Sequence, residues 1–177
     1  LSILTGTGPR FAFNLALAGI YASLVTAAYG LAGAIATEHD VSRRLAAVIG
    51  GFFVGVAGNI HTAVMVAAWL LPSGLVDSIP GVGSDSAFLT WTPSEFFYWD
   101  ASRIIEGTMN EFPLFAWLNG DLHAHMLSTP FTLLVAALCF SYWQTPESEI
   151  TRRRATLASI APVAGVLAIT NTWDLPV

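Results

Sequence analysis

The segment 110-NEFPLFAWLNGDLHAHMLSTPFTLLVAALCFSYW-143 joins a polar beginning to a long apolar run. Its first half carries the carboxylates of Glu111 and Asp121 and the imidazoles of His123 and His125, and the residues after His125 are uncharged. An apolar run of roughly 20 residues can cross a bilayer as a helix. Ionisable groups at membrane depth are costly and usually serve a function. The segment therefore predicts a membrane helix that begins at a polar site.

The composition of the 177 residues also indicates a membrane protein. Hydrophobic residues make up 54% and charged residues only 11%, whereas soluble domains carry about 25% charged residues. We predict an all-α fold, a polytopic transmembrane helical bundle in the cell membrane. The sequence starts without Met, and we expect residues 1–177 to be a single transmembrane domain and a fragment of a longer chain.

Four apolar runs are the predicted spans, at about residues 11–36, 45–71, 126–143 and 155–172. Glycines recur in the first two runs, and small residues let neighbouring membrane helices approach closely. Residues 73–125 form a loop between the second and third spans. Within this loop, the aromatic segment 95-EFFYWDASRIIEG-107 is typical of an interfacial or re-entrant segment.

The positions of the arginines predict the orientation, since all seven basic residues are arginines. Arg43 and Arg44 lie between the first two spans, and Arg152 to Arg154 lie between the last two. Short cytoplasmic loops carry the excess of basic residues, so we expect both loops in the cytoplasm. The loop 73–125 and Asp174, at the end of the fourth span, then fall on the outer face.

Four short motifs follow one another along the second half of the chain: 97-FYWDASR-103, 110-NEFP-113, 120-GDLHAH-125 and 171-NTWD-174. They resemble the signature blocks of the YYY-domain family, polytopic membrane proteins of archaea and Chloroflexi-type bacteria. Where the family block has Pro between the two histidines, this chain has Ala124. That family is similar, at the level of the fold, to the GT-C glycosyltransferases, membrane enzymes that use lipid-phosphate sugars on the outer face.

The resemblance implies a GT-C-type membrane glycosyltransferase with a polyprenyl-phosphate sugar as donor. Such a reaction needs a base for the acceptor hydroxyl, and Asp121 and Glu111 are the candidates. A guanidinium or a divalent metal ion would hold the phosphate. Arg103 is the candidate for the first role, and the metal ligands would be His123, His125 and Asp121. Further candidates for substrate binding are Asp100, Asn110, Trp173 and Asp174.

Structural interpretations of the same residues stay open. Asp121 could cap the third span, because acids are favoured at helix N-termini. Arg103 could pair with Asp100 or Glu106. The pattern Asp-x-His-x-His brings its side chains to one side of an extended chain, whereas in a helix residues two apart diverge. The aromatic cluster 96-FFYW-99 could be an interfacial belt rather than a platform for a sugar.

A second hypothesis for the function is a non-enzymatic membrane transporter or structural subunit, whose acidic and imidazole groups bind an ion or a proton. The sequence has no internal repeat of the kind found in many transporters. It has no glycine-rich nucleotide-binding motif and no basic patch typical of nucleic-acid binding. The expected partners are therefore membrane lipid and a lipid-phosphate-linked sugar, and no nucleic acid is expected.

Overall fold

The computed structural model describes residues 2–39, 41–58, 60–78, 102, 107–108, 111–120 and 122–174. Within these ranges the regular structure is helical throughout, as predicted, and contains no strand. The helices are α1 (Ser2–Thr5), α2 (Pro9–Thr37), α3 (Arg43–Gly55), α4 (Ile60–Leu70), α5 (Ser73–Val76), α6 (Pro113–Leu118), α7 (Ala124–Gln144), α8 (Ile150–Thr170) and a closing 3-10 helix (Thr172–Asp174).

The chain divides into two compact units, one made of Leu1–Val56 with Ala116–Val177, and the other of Ala57–Phe115. The first unit contains α2, α3, α7 and α8. The second contains α4 and α5. The short helix α6 begins in the second unit and ends in the first.

Two of the described helices, α2 and α7, are long and apolar enough to cross a membrane. They correspond to the predicted spans 11–36 and 126–143. The expected count of four spans is not reached among the described residues. In α8, three arginines lie within the first five residues, and the apolar part from residue 155 to 170 is 16 residues long. That length is shorter than the roughly 20 residues that a span requires.

The segment 45–71 was expected to be one span, but the chain forms two helices of 13 and 11 residues there. The first of them, α3, ends at Gly55. A helix leaves its last carbonyl groups without backbone partners, and the Tyr21 hydroxyl donates a hydrogen bond of 2.6 Å to the Gly55 carbonyl. The apolar run continues through Val56, Ala57 and Gly58, and the polar residues Asn59 and His61 follow only after α3 has ended.

Glycines on α3 form a close-packed seam with α2. A Cβ added at Gly50 would collide with the side chain of Ala32, and one added at Gly55 would lie 2.6 Å from a Val25 methyl group. The predicted small-residue packing face is therefore present on α3. The two helices form an antiparallel hairpin, since Gly33 of α2 lies beside Ala47 and Gly55 of α3 lies beside Val25. The Ser42 hydroxyl caps the start of α3 by accepting from the Leu45 N–H.

The helices α7 and α8 form a second hairpin. Each has 21 residues, the connecting turn spans only residues 145–149, and the helices pack against each other. The end of α8 therefore lies beside the beginning of α7. The 3-10 helix Thr172–Asp174 contacts both helices at this end.

A buried cluster joins α2 to the residues around the beginning of α7. It consists of Leu24, Ala116, Trp117 and Met126. The ring of Tyr21 adds to it, with its centroid 5.5 Å from that of Trp117. Because Leu24 lies near the middle of α2, the beginning of α7 lies beside the middle of α2 and not beside its end.

Candidate functional site

The candidate site in the first unit is built on the turn between α6 and α7. After α6 ends at Leu118, Gly120 adopts a left-handed backbone conformation with φ +69°, which glycine reaches without a steric penalty. The Gly120 N–H donates to the Trp117 carbonyl at 3.1 Å. Since Trp117 is buried in the core, this hydrogen bond fixes the turn at Gly120 next to the core.

His123 and His125 have different backbone environments. His123 is the N-cap residue of α7, with an extended backbone, and its carbonyl accepts from the Met126 N–H at 3.0 Å. His125 lies in the first turn of α7. Its carbonyl accepts hydrogen bonds from the hydroxyl groups of Ser128, at 2.9 Å, and Thr129, at 2.7 Å. Hydrogen bonds therefore hold the backbone under both imidazoles.

The two imidazoles lie side by side although the segment is neither fully extended nor fully helical. Their ring centroids are 5.5 Å apart with the planes inclined by 37°, both side chains are exposed, and one nitrogen of each ring lies within 4.8 Å of the other. A tetrahedral metal ion bound at about 2.1 Å by both rings would hold the centroids about 5 Å apart. The donor types and the spacing of this histidine pair therefore fit a divalent metal ion.

The beginning of α7 also suits an anion. The first N–H groups of a helix have no backbone partners, and the aligned peptide dipoles place a partial positive charge there. Phosphate groups commonly bind at such helix ends. The N-cap residue His123 makes no side-chain capping bond. The site can thus receive a phosphate next to two imidazole groups.

The carboxylate of Glu111 is exposed and lies two residues before the beginning of α6, in the second unit. Its neighbour Phe112 packs within that unit. The Phe112 ring lies 5.6 Å from that of Phe115, between centroids, and its edge covers Gly58, where an added Cβ would meet it at 2.6 Å. The packing of Phe112 thus fixes the backbone next to Glu111.

Trp173 lies at the same end of the α7–α8 hairpin as His123 and His125, because the 3-10 helix that contains it contacts both helices there. The Trp173 side chain is 94% exposed. The side chain of Asp174 lies outside the described part of the structure, although its backbone belongs to the 3-10 helix. A role for either residue in substrate binding stays a prediction.

Four candidates lie outside the described residues, namely Asp100, Arg103, Asn110 and Asp121. The same holds for Glu106 and for the aromatic cluster 96–99, so the interfacial belt and the Arg103 ion pairs stay untested. The structure does bear on the capping alternative for Asp121. The N-cap position of α7 is occupied by His123, so Asp121 precedes the N-cap residue by two positions.

Two kinds of contributor to the site were not identified from the sequence. The hydroxyl groups of Ser128 and Thr129 donate hydrogen bonds to the His125 carbonyl. Their positions three and four residues after His125 are the feature of the sequence that could have predicted these bonds. Trp117 is the second kind. Only 6% of its surface is exposed, and its indole N–H has no hydrogen-bond partner among the described residues. Only the fold reveals that this residue anchors the turn.

Comparisons with known proteins give one result. No curated protein and no solved structure matches the chain. A family model described as "Uncharacterized membrane protein (DUF2298)" matches residues 1–177. That description names no activity, so the resemblance to the YYY-domain family and to the GT-C enzymes stays a prediction. Because the match covers the whole chain, the chain belongs to the DUF2298 family of membrane proteins.

Proposed function

We propose that the chain is part of a GT-C-type membrane glycosyltransferase that takes a polyprenyl-phosphate sugar as donor at the outer membrane face. The observation that carries the proposal is the exposed pair His123 and His125 at the beginning of α7. A charged headgroup and a long apolar chain occur together in this substrate class. The beginning of α7 offers a polar site, and the uncharged helix that follows offers an apolar surface.

The donor phosphate would bind at the N-terminus of α7. Positive partial charge at the helix end favours an anion, and imidazole N–H groups can donate hydrogen bonds to its oxygens. The guanidinium of Arg103 would add a bidentate contact to the phosphate. The remaining contacts to the sugar and the acceptor are assigned to Asp100, Asn110, Trp173 and Asp174.

A carboxylate would act as the base in the transfer. It removes the proton from the acceptor hydroxyl while the acceptor oxygen forms a bond to the anomeric carbon of the sugar. The bond from that carbon to the phosphate oxygen breaks, and polyprenyl phosphate leaves with the electron pair. Asp121 and Glu111 are the two candidates for this role, because each has a carboxylate that can accept the proton.

A divalent metal ion fits the same site. His123 and His125 would be two of its ligands, and the carboxylate of Asp121 would be the third. When bound, such an ion neutralises charge on the departing phosphate. The spacing of the two imidazoles supports this assignment, since it agrees with the separation that a shared tetrahedral ion requires.

The test is transfer of radiolabelled sugar from polyprenyl-phosphate donors in membranes that contain the full-length protein. We expect Asp121→Ala or Glu111→Ala to reduce transfer by about a hundredfold or more, the usual contribution of a general base. The variant His123→Ala/His125→Ala should lower transfer and also weaken binding of Mn²⁺ or Zn²⁺ to the purified protein. Membrane insertion and helix content should not change, because the loss is chemical.

Matched controls are available in the turn after α2. The variants Glu38→Gln and His39→Ala change the same residue types at exposed positions away from α7, and should keep full transfer. Wild-type transfer by both the Asp121 and the Glu111 variants would exclude a base role for either. If the histidine pair binds a metal ion but no donor supports transfer, the result would favour the second hypothesis, an ion-binding transporter or structural subunit.

A further inference from the structure

We propose that the turn between α7 and α8 binds the headgroup of an anionic phospholipid. This site lies at the opposite end of α7 from the histidine pair, about 30 Å away along a helix of 21 residues. It does not depend on the proposed glycosyl transfer. The argument uses a cavity, a set of arginines and the aromatic residues beside them.

The cavity lies where the end of α7 meets the first turns of α8. Its volume is about 280 Å³, and its lining residues are Tyr142, Glu147, Ile150, Arg153, Arg154 and Leu157. One water molecule occupies about 30 Å³, so the space admits a phosphate group with several further atoms. Two guanidinium groups and two aliphatic side chains line the same cavity, which suits a ligand with a charged head and an apolar body.

The three arginines at the beginning of α8 are engaged to different degrees. Arg152 forms an ion pair with Glu149 at 3.4 Å. The Arg153 guanidinium lies 4.4 Å from the centroid of the Tyr142 ring, and stacking of this kind orders the side chain before a ligand arrives. No described hydrogen bond or ion pair involves Arg154. Glu149 is paired with Arg152. The cavity lining therefore has two positive charges, from Arg153 and Arg154, and one negative charge, from Glu147, which leaves a net charge of one positive unit.

The position of the arginines at the beginning of α8 strengthens the need for an anion. They occupy the third to fifth positions of the helix, where the helix dipole is positive and disfavours cations. The N-cap residue Glu149 makes no side-chain capping bond. A phosphate bound at this turn would be attracted by the helix end and by the arginines, and would relieve their mutual repulsion.

The surroundings favour a phospholipid over free phosphate. The turn follows α7, which is long and apolar enough to cross a membrane, and Trp143 beside it is 79% exposed. Tryptophan and tyrosine at the end of a span are typical of the headgroup level. Ile150 and Leu157 are about half exposed next to the arginines. These apolar side chains can contact the glycerol and upper acyl chain, which inorganic phosphate lacks.

The experiment measures lipids retained by the full-length protein, purified in detergent, with equal amounts of dioleoyl phosphatidylglycerol and dioleoyl phosphatidylcholine. Native mass spectrometry counts the bound lipids. We expect wild-type protein to retain phosphatidylglycerol preferentially. Arg153→Gln/Arg154→Gln should bind it about tenfold less tightly, because each basic residue near an anionic lipid surface adds to the binding free energy. The matched control Arg43→Gln/Arg44→Gln removes the same charge from the beginning of α3 and should keep the preference.

Further variants and competitors separate this site from unspecific charge. Tyr142→Leu keeps both charges but removes the ring beneath Arg153, and should weaken the preference, whereas Tyr142→Phe should keep it. These two variants decide the question if the double arginine variant does not fold. Three outcomes would overturn the proposal. The first is an unchanged preference for phosphatidylglycerol in Arg153→Gln/Arg154→Gln, and the second is an equal loss of that preference in Arg43→Gln/Arg44→Gln. The third is displacement of the bound lipid by millimolar inorganic phosphate.

Discussion

The hydrogen bond from Tyr21 to Gly55 shows how a single side chain sets the end of a helix. The two residues are 34 positions apart in sequence, and the bond of 2.6 Å satisfies one of the carbonyl groups that the end of α3 leaves without a backbone partner. The Tyr21 ring also packs on Trp117. The same residue therefore links the end of α3 to the turn that carries the histidine pair.

Replacing Tyr21 by Phe removes the hydroxyl and keeps the ring. We expect the free energy of unfolding to fall by about 1 kcal/mol, the usual contribution of one hydrogen bond. Reversible unfolding of the detergent-solubilised protein in increasing SDS, followed by circular dichroism, measures the change. Tyr29→Phe is the control, because Tyr29 lies on the same helix with 46% of its surface exposed. Equal losses in the two variants would contradict the capping role of Tyr21.

At the scale of the elements, the α2–α3 hairpin depends on a seam of small residues. Without a hydrophobic driving force between helices in lipid, close packing of small residues becomes a main source of association. Gly50 and Ala32 face each other with no room for a further carbon atom, whereas a Cβ at Gly30 would meet nothing within 4 Å. Gly30 and Gly50, which both lie in apolar runs of the sequence, thus have different structural roles.

Gly50→Ala should separate α2 from α3 and lower the free energy of unfolding by about 1 to 3 kcal/mol, the usual cost of overpacking. Gly30→Ala should be neutral or stabilising by up to about 1 kcal/mol, since alanine is the better helix former. The SDS titration used for Tyr21 gives both values. Similar destabilisation by the two substitutions would show that a general loss of glycine, and not the seam, is responsible.

At the scale of the whole molecule, many large apolar side chains on the described helices are exposed. Examples are Phe11, Leu15, Phe52 and Phe53, each more than half exposed. Soluble monomers rarely expose large contiguous apolar patches, whereas surfaces that face lipid chains are apolar. This exposure agrees with the family to which the chain belongs. The orientation in the bilayer is a separate question, for which the arginine-bearing turns supply the hypothesis.

If both arginine-bearing turns lie in the cytoplasm, single cysteines at His39 and Ser148 should react only after the membrane is permeabilised. A cysteine at Asn119, in the turn before α7, should react with an impermeant maleimide in intact cells. The variants are made with Cys139→Ser, because Cys139 is exposed and would react itself. Labelling of the three positions from one side, or in the reverse pattern, would refute the predicted orientation.

The sequence by itself determined that this chain is helical and belongs in a membrane, since both properties follow from composition and from apolar runs such as the one after His125. It also located the polar segment at the beginning of α7. Only the tertiary structure showed that the second apolar run is broken at Gly55, because that end depends on Tyr21, a residue of another helix. It likewise decided that His123 and His125 lie together, because the Gly120 turn leaves one in an extended cap and the other in a helix, a combination that no single periodicity predicts.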